Sequence, residues 1–240
     1  MSNVPARPEL PKRFYASVDI ADEPNGFAVR LDGRPVRTPA RSPLTLPTRL
    51  SAEGVADEWR SQRDVIDPAT MPLTRLSNTI IDGITPNPEP IRQDLARYAE
   101  TDLLAYRADG PDRLVQRQAE RWDPVVRWVE EEIAALFAVG QGVIYVAQPA
   151  ETVAALRVRL ERETDPFRLG ALHQATTLTG SLMLALALAA GRLDAATAWS
   201  LAHIDEDWNI EQWGEDEEAN ARRTARFADM RAAALLLGRN

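Results

Sequence analysis

No cysteine occurs in the 240 residues. That excludes disulfides, thiolate nucleophiles and cysteine-based zinc or iron–sulfur sites, and it suits a reducing compartment. Lysine occurs once, at Lys12, so there is no Gly-x-x-x-x-Gly-Lys phosphate loop. Neither Gly-x-Gly-x-x-Gly nor Gly-x-Ser-x-Gly is present. His173 and His203 are the only histidines, which leaves little material for imidazole chemistry. Positive charge is in deficit: the net charge is −8 and the isoelectric point is near 5.0. Binding to nucleic acid or to an anionic membrane surface needs a basic footprint, and both are excluded as general functions. A long apolar run is also missing. The stretch from Leu178 to Ala190 is about 13 residues, against the roughly 20 a membrane span requires, and it reads as a buried core helix. Met1 to Pro11 has no apolar run and is neither a signal nor a transit peptide.

What the chain has in excess is acid, gathered in one place. Asp205 to Ala219 holds eight carboxylates, two tryptophans and no basic residue. Carboxylates four apart on a helix repel by a few tenths of a kcal/mol, and Asp207, Glu211 and Glu215 have that spacing. If one helix runs through this stretch, Leu201, Ile204 and Trp208 line one face while Ile210 and Trp213 point nearly opposite. Gly214 ends or kinks that helix. Two opposed stripes fit a central bundle helix with a solvated acidic rim. They fit equally a ridge whose second stripe is reserved for a partner.

The remainder divides by pattern. Residues 13–46 read as strands, with turn chemistry at Asp22–Gly26, a two-residue hairpin signal at Asp32-Gly33 and prolines that confine the return strand to an edge. Thr48 caps a helix to about Gln62, with Leu50, Val55 and Trp59 on its apolar face, and Leu73, Leu76, Ile80 and Ile81 mark another. The expected first domain, 1–86, is α+β: a small antiparallel sheet with helices in two layers. The Pro86, Pro88, Pro90 run is the boundary. The expected second domain, 87–240, is an all-helical orthogonal bundle. Its helices are marked by Ile91, Leu95, Tyr98 and Leu103, then by Val115 to Phe137 with a restart or kink at Asp123-Pro124, then by Val153, Leu156 and Leu160. Gly142 to Val146 is a short candidate strand. One apolar helix is expected from Asp165-Pro166 to about Gly191. Asp194 caps the next, and a last helix from Glu217 to Leu237 carries Arg222, Arg223 and Arg226.

Candidate chemistry is sparse. His203, Asp207 and Glu211 fall at i, i+4 and i+8, a row suited to a metal or to acid–base work, and they define an alternative reading as a small acidic metal-dependent hydrolase. No second Glu-x-x-His completes a carboxylate di-metal set. Trp59, Trp122, Trp128 and Trp199 sit at helical spacing with aliphatics and read as core. Arg30, Arg34, Arg37 and Arg41 form a basic patch, either a solvated strand face or a face docked intramolecularly onto acids.

Several stretches together resemble one family. They are Arg13-Phe14-Tyr15, the run from Leu31 to Pro39, Glu58-Trp59, Met71 to Thr74, Asn78-Thr79, Thr101 to Leu104, Trp122-Asp123-Pro124 and Trp213-Gly214-Glu215-Asp216. The set is similar to the assembly chaperones for the α subunit of the F-type ATP synthase, over about residues 13 to 237. The resemblance implies a non-enzymatic protein without cofactors. Such a protein transiently binds the unassembled α subunit and shields its β-facing interface until β replaces it. It places partner-binding residues near the Trp-Gly run, at Glu211, Trp213, Glu215, Asp216 and Glu217, and makes Trp59 structural. Without a presequence, a bacterial, cytoplasmic location is expected.

Overall fold

The computed structural model describes residues 9–142 and 145–239. The chain divides between Asp82 and Gly83 into two compact units.

The first unit begins with an antiparallel hairpin, β1 (Val18–Glu23) and β2 (Gly26–Leu31), paired from Val18 opposite Leu31 to Glu23 opposite Gly26. The turn is therefore tighter than the expected Asp22–Gly26, with only Pro24 and Asn25 outside the ladder. Gly26 has φ +139, and a Cβ there would meet the Leu46 carbonyl oxygen at 2.3 Å, so only glycine fits. Asp32-Gly33 makes the anticipated second hairpin with both φ values positive, 48 and 76. It leads into β3 (Arg34–Pro35) against β2, and β4 (Thr45–Leu46) also pairs with β2. Helix α1 (Arg49–Ser61) starts at a capping box between Thr48 and Ser51 and lies on the sheet. It buries Ser51, Ala52, Val55 and Ala56. Leu50, expected on the apolar face, is 51% exposed, because the buried stripe begins one residue later. A 3₁₀ turn (Pro68–Thr70) precedes α2 (Pro72–Thr79), which runs into one π turn (Ile80–Ile84). Val29, Leu44, Leu46, Val55 and Ile80 are fully buried and form the core between the layers.

In the second unit α3 (Glu89–Tyr98) ends before Leu103, which belongs to a separate 3₁₀ turn (Leu103–Ala105) capped by Asp102. Among the described residues, the regular structure of the unit is helical apart from one two-residue parallel pair, β5 (Tyr106–Arg107) with β6 (Gly140–Gln141). Between them α4 (Asp112–Ile133) continues through Pro124, and Phe137 lies beyond its end, still buried. Of the candidate strand at Gly142–Val146, Val143 and Ile144 lie outside the described residues. Helix α5 (Ala150–Glu161) follows.

The expected single helix to Gly191 is two. Helix α6 (Pro166–Thr179) stops at Gly180, which takes φ +69, and Ser181 restarts the chain by accepting the Leu184 N–H at 3.0 Å. The new helix, α7 (Leu182–Ala189), is apolar on every side and every residue of it is buried, as a helix without a polar face must be. It packs against α6, α4 and α8 (Ala195–Ala202), while α10 (Glu217–Leu236) lies along α6. Between α8 and α10 sits α9 (Ile204–Trp213).

Candidate functional site

The acidic stretch is not one helix. His203 breaks it with φ −118 and ψ 22, so Leu201 lies in the last turn of α8 and Ile204 opens α9, and the shared face expected for Leu201, Ile204 and Trp208 does not form. Leu201 and Ile204 are both buried nonetheless, and Trp208 is half-buried. The break also answers the self-repulsion. Asp205, Glu206 and Asp207 fall in the first turn of α9, where unpaired backbone N–H groups favour negative charge.

Several of the acids are held from within the unit. The Gln118 side chain, 1% exposed, donates from Nε2 to Asp205 at 2.6 Å and accepts the Ala108 N–H at 2.8 Å. Arg223 of α10 pairs with Asp207. Arg117 of α4 donates both terminal nitrogens to Glu211 at 2.8 Å each, with its guanidinium 5.0 Å over the Trp208 ring. This fork holds the Glu211 carboxyl below its ordinary range. Trp122 anchors the floor beneath: it is 1% exposed and donates its indole N–H to the Leu201 carbonyl at 2.8 Å.

Beyond Glu211 the character changes. Trp213 is 87% exposed, the most exposed large apolar side chain among the described residues. Gly214, at φ +89, ends α9 there. Asp216, itself exposed, caps α10 by accepting the Ala219 N–H at 2.8 Å. Glu218 pairs with Arg222. Glu215 and Glu217 are exposed and meet no cation among the described residues. Five sequence-predicted residues thus split by role. Trp213, Glu215 and Glu217 face outward, Glu211 is locked to α4, and Asp216 is a cap.

The metal alternative loses its geometry. His203 hydrogen-bonds the Trp199 carbonyl through Nδ1 at 2.7 Å and stacks on the Trp199 ring, and burial lowers its pKa. Asp207 and Glu211 already hold arginines. Among the described residues no group of three or more histidine or carboxylate side chains is placed to hold a metal.

Of the tryptophans read as core, Trp122 and Trp199 are buried, while Trp59 and Trp128 are half-buried. Trp59 packs edge-on against Tyr15 at 5.6 Å, and its backbone carbonyl accepts the Tyr15 hydroxyl at 2.7 Å. The residue pattern gives no sign of two carboxylates that cap helices, the half-buried Glu58 and the buried Asp102. Glu58 accepts the Leu73 and Thr74 N–H groups at 2.7 Å each and the Thr74 hydroxyl at 2.6 Å, capping α2 from α1, since Met71 offers no cap of its own. Asp102 is fully buried and accepts the N–H groups of Leu104 and Met183 at 3.0 Å each, so one carboxyl starts both a 3₁₀ turn and α7. Burial pushes it up to about 6.

Residues 12–130 match the family described as ATP12 chaperone protein. The crystal structure of Atp12 from Paracoccus denitrificans shares 46% identity and a TM-score of 0.86, over 95% of this chain and 97% of that one. The chain belongs to the ATP12 chaperone family. A crystal structure of a chaperone-like protein from Agrobacterium tumefaciens agrees at 49% identity and a TM-score of 0.89, over 96% of this chain and 86% of that one. The mitochondrial protein atp12 of Schizosaccharomyces pombe is 22% identical over 87% of this chain and 76% of its own length. This ATP12 chain is accordingly an ATP synthase assembly chaperone, and its fold of sheet-with-helices followed by helices is that of the solved ATP12 structures. No described helix is long and apolar enough to cross a membrane.

Proposed function

We propose that the chain captures the unassembled α subunit of the F-type ATP synthase in the cytoplasm, without catalysis. It shields the β-facing surface of α until β displaces it. The carrying observation is Trp213, 87% exposed at the end of a helix, beside the unpaired Glu215 and Glu217. A large exposed indole is unfavourable on a free monomer, and aromatic side chains with a polar rim are the usual anchors of a protein interface. Glu211 and Asp216 support the same face: the Arg117 fork fixes the last turn of α9, and the Asp216 cap fixes the turn into α10. The family membership supports an ATP synthase client, and the acidic stretch, whose Asp205, Asp207 and Glu211 are tied to side chains of α4 and α10, fits holding better than chemistry.

The test is size-exclusion chromatography of the chain with isolated α subunit, followed by addition of β. Co-elution dissolved by β is expected. Trp213→Ala combined with Glu215→Lys and Glu217→Lys should lose the complex while circular dichroism stays unchanged, since all three side chains face solvent. Full capture by that variant refutes the site.

A further inference from the structure

The first unit carries a surface of the opposite kind. An open groove of about 590 Å³ is lined by Phe14, Tyr15 and Trp59, with Arg34 and Arg37 beside them. Its aromatic rings form an edge-to-face row, Phe14 to Tyr15 at 5.4 Å and Tyr15 to Trp59 at 5.6 Å. Phe14 is 73% exposed, second only to Trp213 among large apolar side chains of the described residues. Neither Arg34 nor Arg37 meets a carboxylate among the described residues; Arg37 donates one nitrogen to the Arg41 carbonyl at 2.8 Å. The acid in the groove, Asp32, is spent on the backbone: it accepts the Ala16 and Ser17 N–H groups at 3.0 and 2.7 Å and the Ser17 hydroxyl at 3.1 Å. Those bonds tie the segment carrying Phe14 and Tyr15 to the Asp32-Gly33 hairpin carrying the arginines, so both walls of the groove are fixed before anything binds. In a chain of net charge −8, this leaves a preformed aromatic trough with two free cations at its edge.

We propose that this groove is a second client-docking site, taking an acidic segment of the α subunit that carries one large apolar side chain. The apolar side chain lies against the exposed ring of Phe14, which is backed edge-on by Tyr15, itself only 6% exposed with Arg13 over its ring, and flanking carboxylates meet Arg34 and Arg37. Charge complementarity selects this occupant, because a basic segment is repelled by both arginines and a purely apolar one leaves them unsatisfied. The assignment rests on the proposed capture of α.

The test compares the full-length chain, Arg34→Glu/Arg37→Glu, Phe14→Ala and Trp213→Ala by titration against isolated α subunit at low and high salt. All the altered side chains are exposed, and near-ultraviolet circular dichroism checks each fold. The double arginine variant should bind about tenfold or more weakly at low salt and lose part of the salt dependence, since charge reversal turns two attractions into repulsions. Phe14→Ala should weaken binding several-fold with the salt dependence unchanged. If the unaltered chain does not bind α, the proposed function fails. If it binds and Trp213→Ala weakens it while both groove variants bind normally, the groove assignment alone is overturned. Sedimentation of the chain by itself decides the other occupant: self-association abolished by the arginine variant would mean that a second copy fills the groove, and would also overturn the assignment.

Discussion

Asp102 offers a measurable link between burial and stability. Its carboxyl is fully buried and no arginine or lysine among the described residues pairs with it, and the N–H groups of Leu104 and Met183 offset only part of the desolvation. Its pKa therefore rises from 3.8 to about 6. A group whose folded pKa lies above its unfolded one adds stability that is fully present below the unfolded value and is lost as pH rises through the folded value. Each pH unit of difference corresponds to about 1.4 kcal/mol, so the whole effect is about 3 kcal/mol between pH 3.5 and pH 7, of which about 1.4 kcal/mol falls between pH 5 and pH 7.5. Asp102→Asn keeps one oxygen acceptor and removes the titration. Urea unfolding of both proteins, followed by tryptophan fluorescence, isolates the effect, because Trp122, Trp128, Trp199, Trp208 and Trp213 report on the unit that contains Asp102. Glu58, also raised by burial, remains in both proteins and cancels. The stability of the natural chain relative to the variant should fall by about 1.4 kcal/mol from pH 5 to pH 7.5. A difference that is flat with pH, or that grows with it, refutes the buried, unpaired carboxyl.

Other substitutions test the remaining joints. Glu58→Ala strands the two N–H groups that begin α2, and should destabilise the first unit by about 2–4 kcal/mol in thermal melts monitored through Trp59 in a variant without the other tryptophans. Gly180→Ala meets only ordinary contact, with Leu103 Cβ at 3.9 Å, so its loss should be the conformational penalty of φ +69 alone, about 1–2 kcal/mol by urea unfolding. Arg117→Ala releases Glu211, whose carboxyl should return to the ordinary range in a carbon-detected NMR titration, while the exposed pair should contribute under about 1 kcal/mol to stability.

The legible parts of the fold were those written locally. Asp32-Gly33 must turn because both positions take positive φ, Thr48 and Ser51 cap each other within one turn, and the prolines after Thr85 mark where patterning changes. Apolar periodicity does not show the breaks at Gly180 and His203, where the expected single helices divide. Thr179-Gly180-Ser181 contains a C-terminal glycine followed by an N-cap serine, but the apolar run from Leu182 on either side of a helix face looks continuous with α6. At His203 the signal is weaker still, since histidine is no special breaker and α9 begins without a side-chain cap. Glu58 and Asp102 could not be read locally at all. Glu58 caps a helix through an amide 15 residues later, and Asp102 reaches an amide 81 residues away, so each looks like a surface acid until the chain is folded.

The same distinction explains the candidate site. Eight carboxylates in 15 residues suggested one charged ridge, but the fold assigns them separate tasks through partners that are remote in sequence. Arg117 lies 94 residues from Glu211, and Gln118 lies 87 from Asp205. Adjacent residues of α4 thus hold opposite ends of α9, one through an exposed fork and the other through a buried amide. A helix clamped at both ends presents Trp213 from a rigid base, which limits the ordering entropy that capture must overcome. Substitutions at Glu211 therefore act on the placement of Trp213 before they act on any client charge. Glu211→Gln, which keeps the shape but loses the charged fork, separates these roles. Capture should weaken together with increased mobility of the Trp213 indole in ¹⁵N relaxation. Weakened capture with an unchanged indole would make Glu211 a direct contact instead.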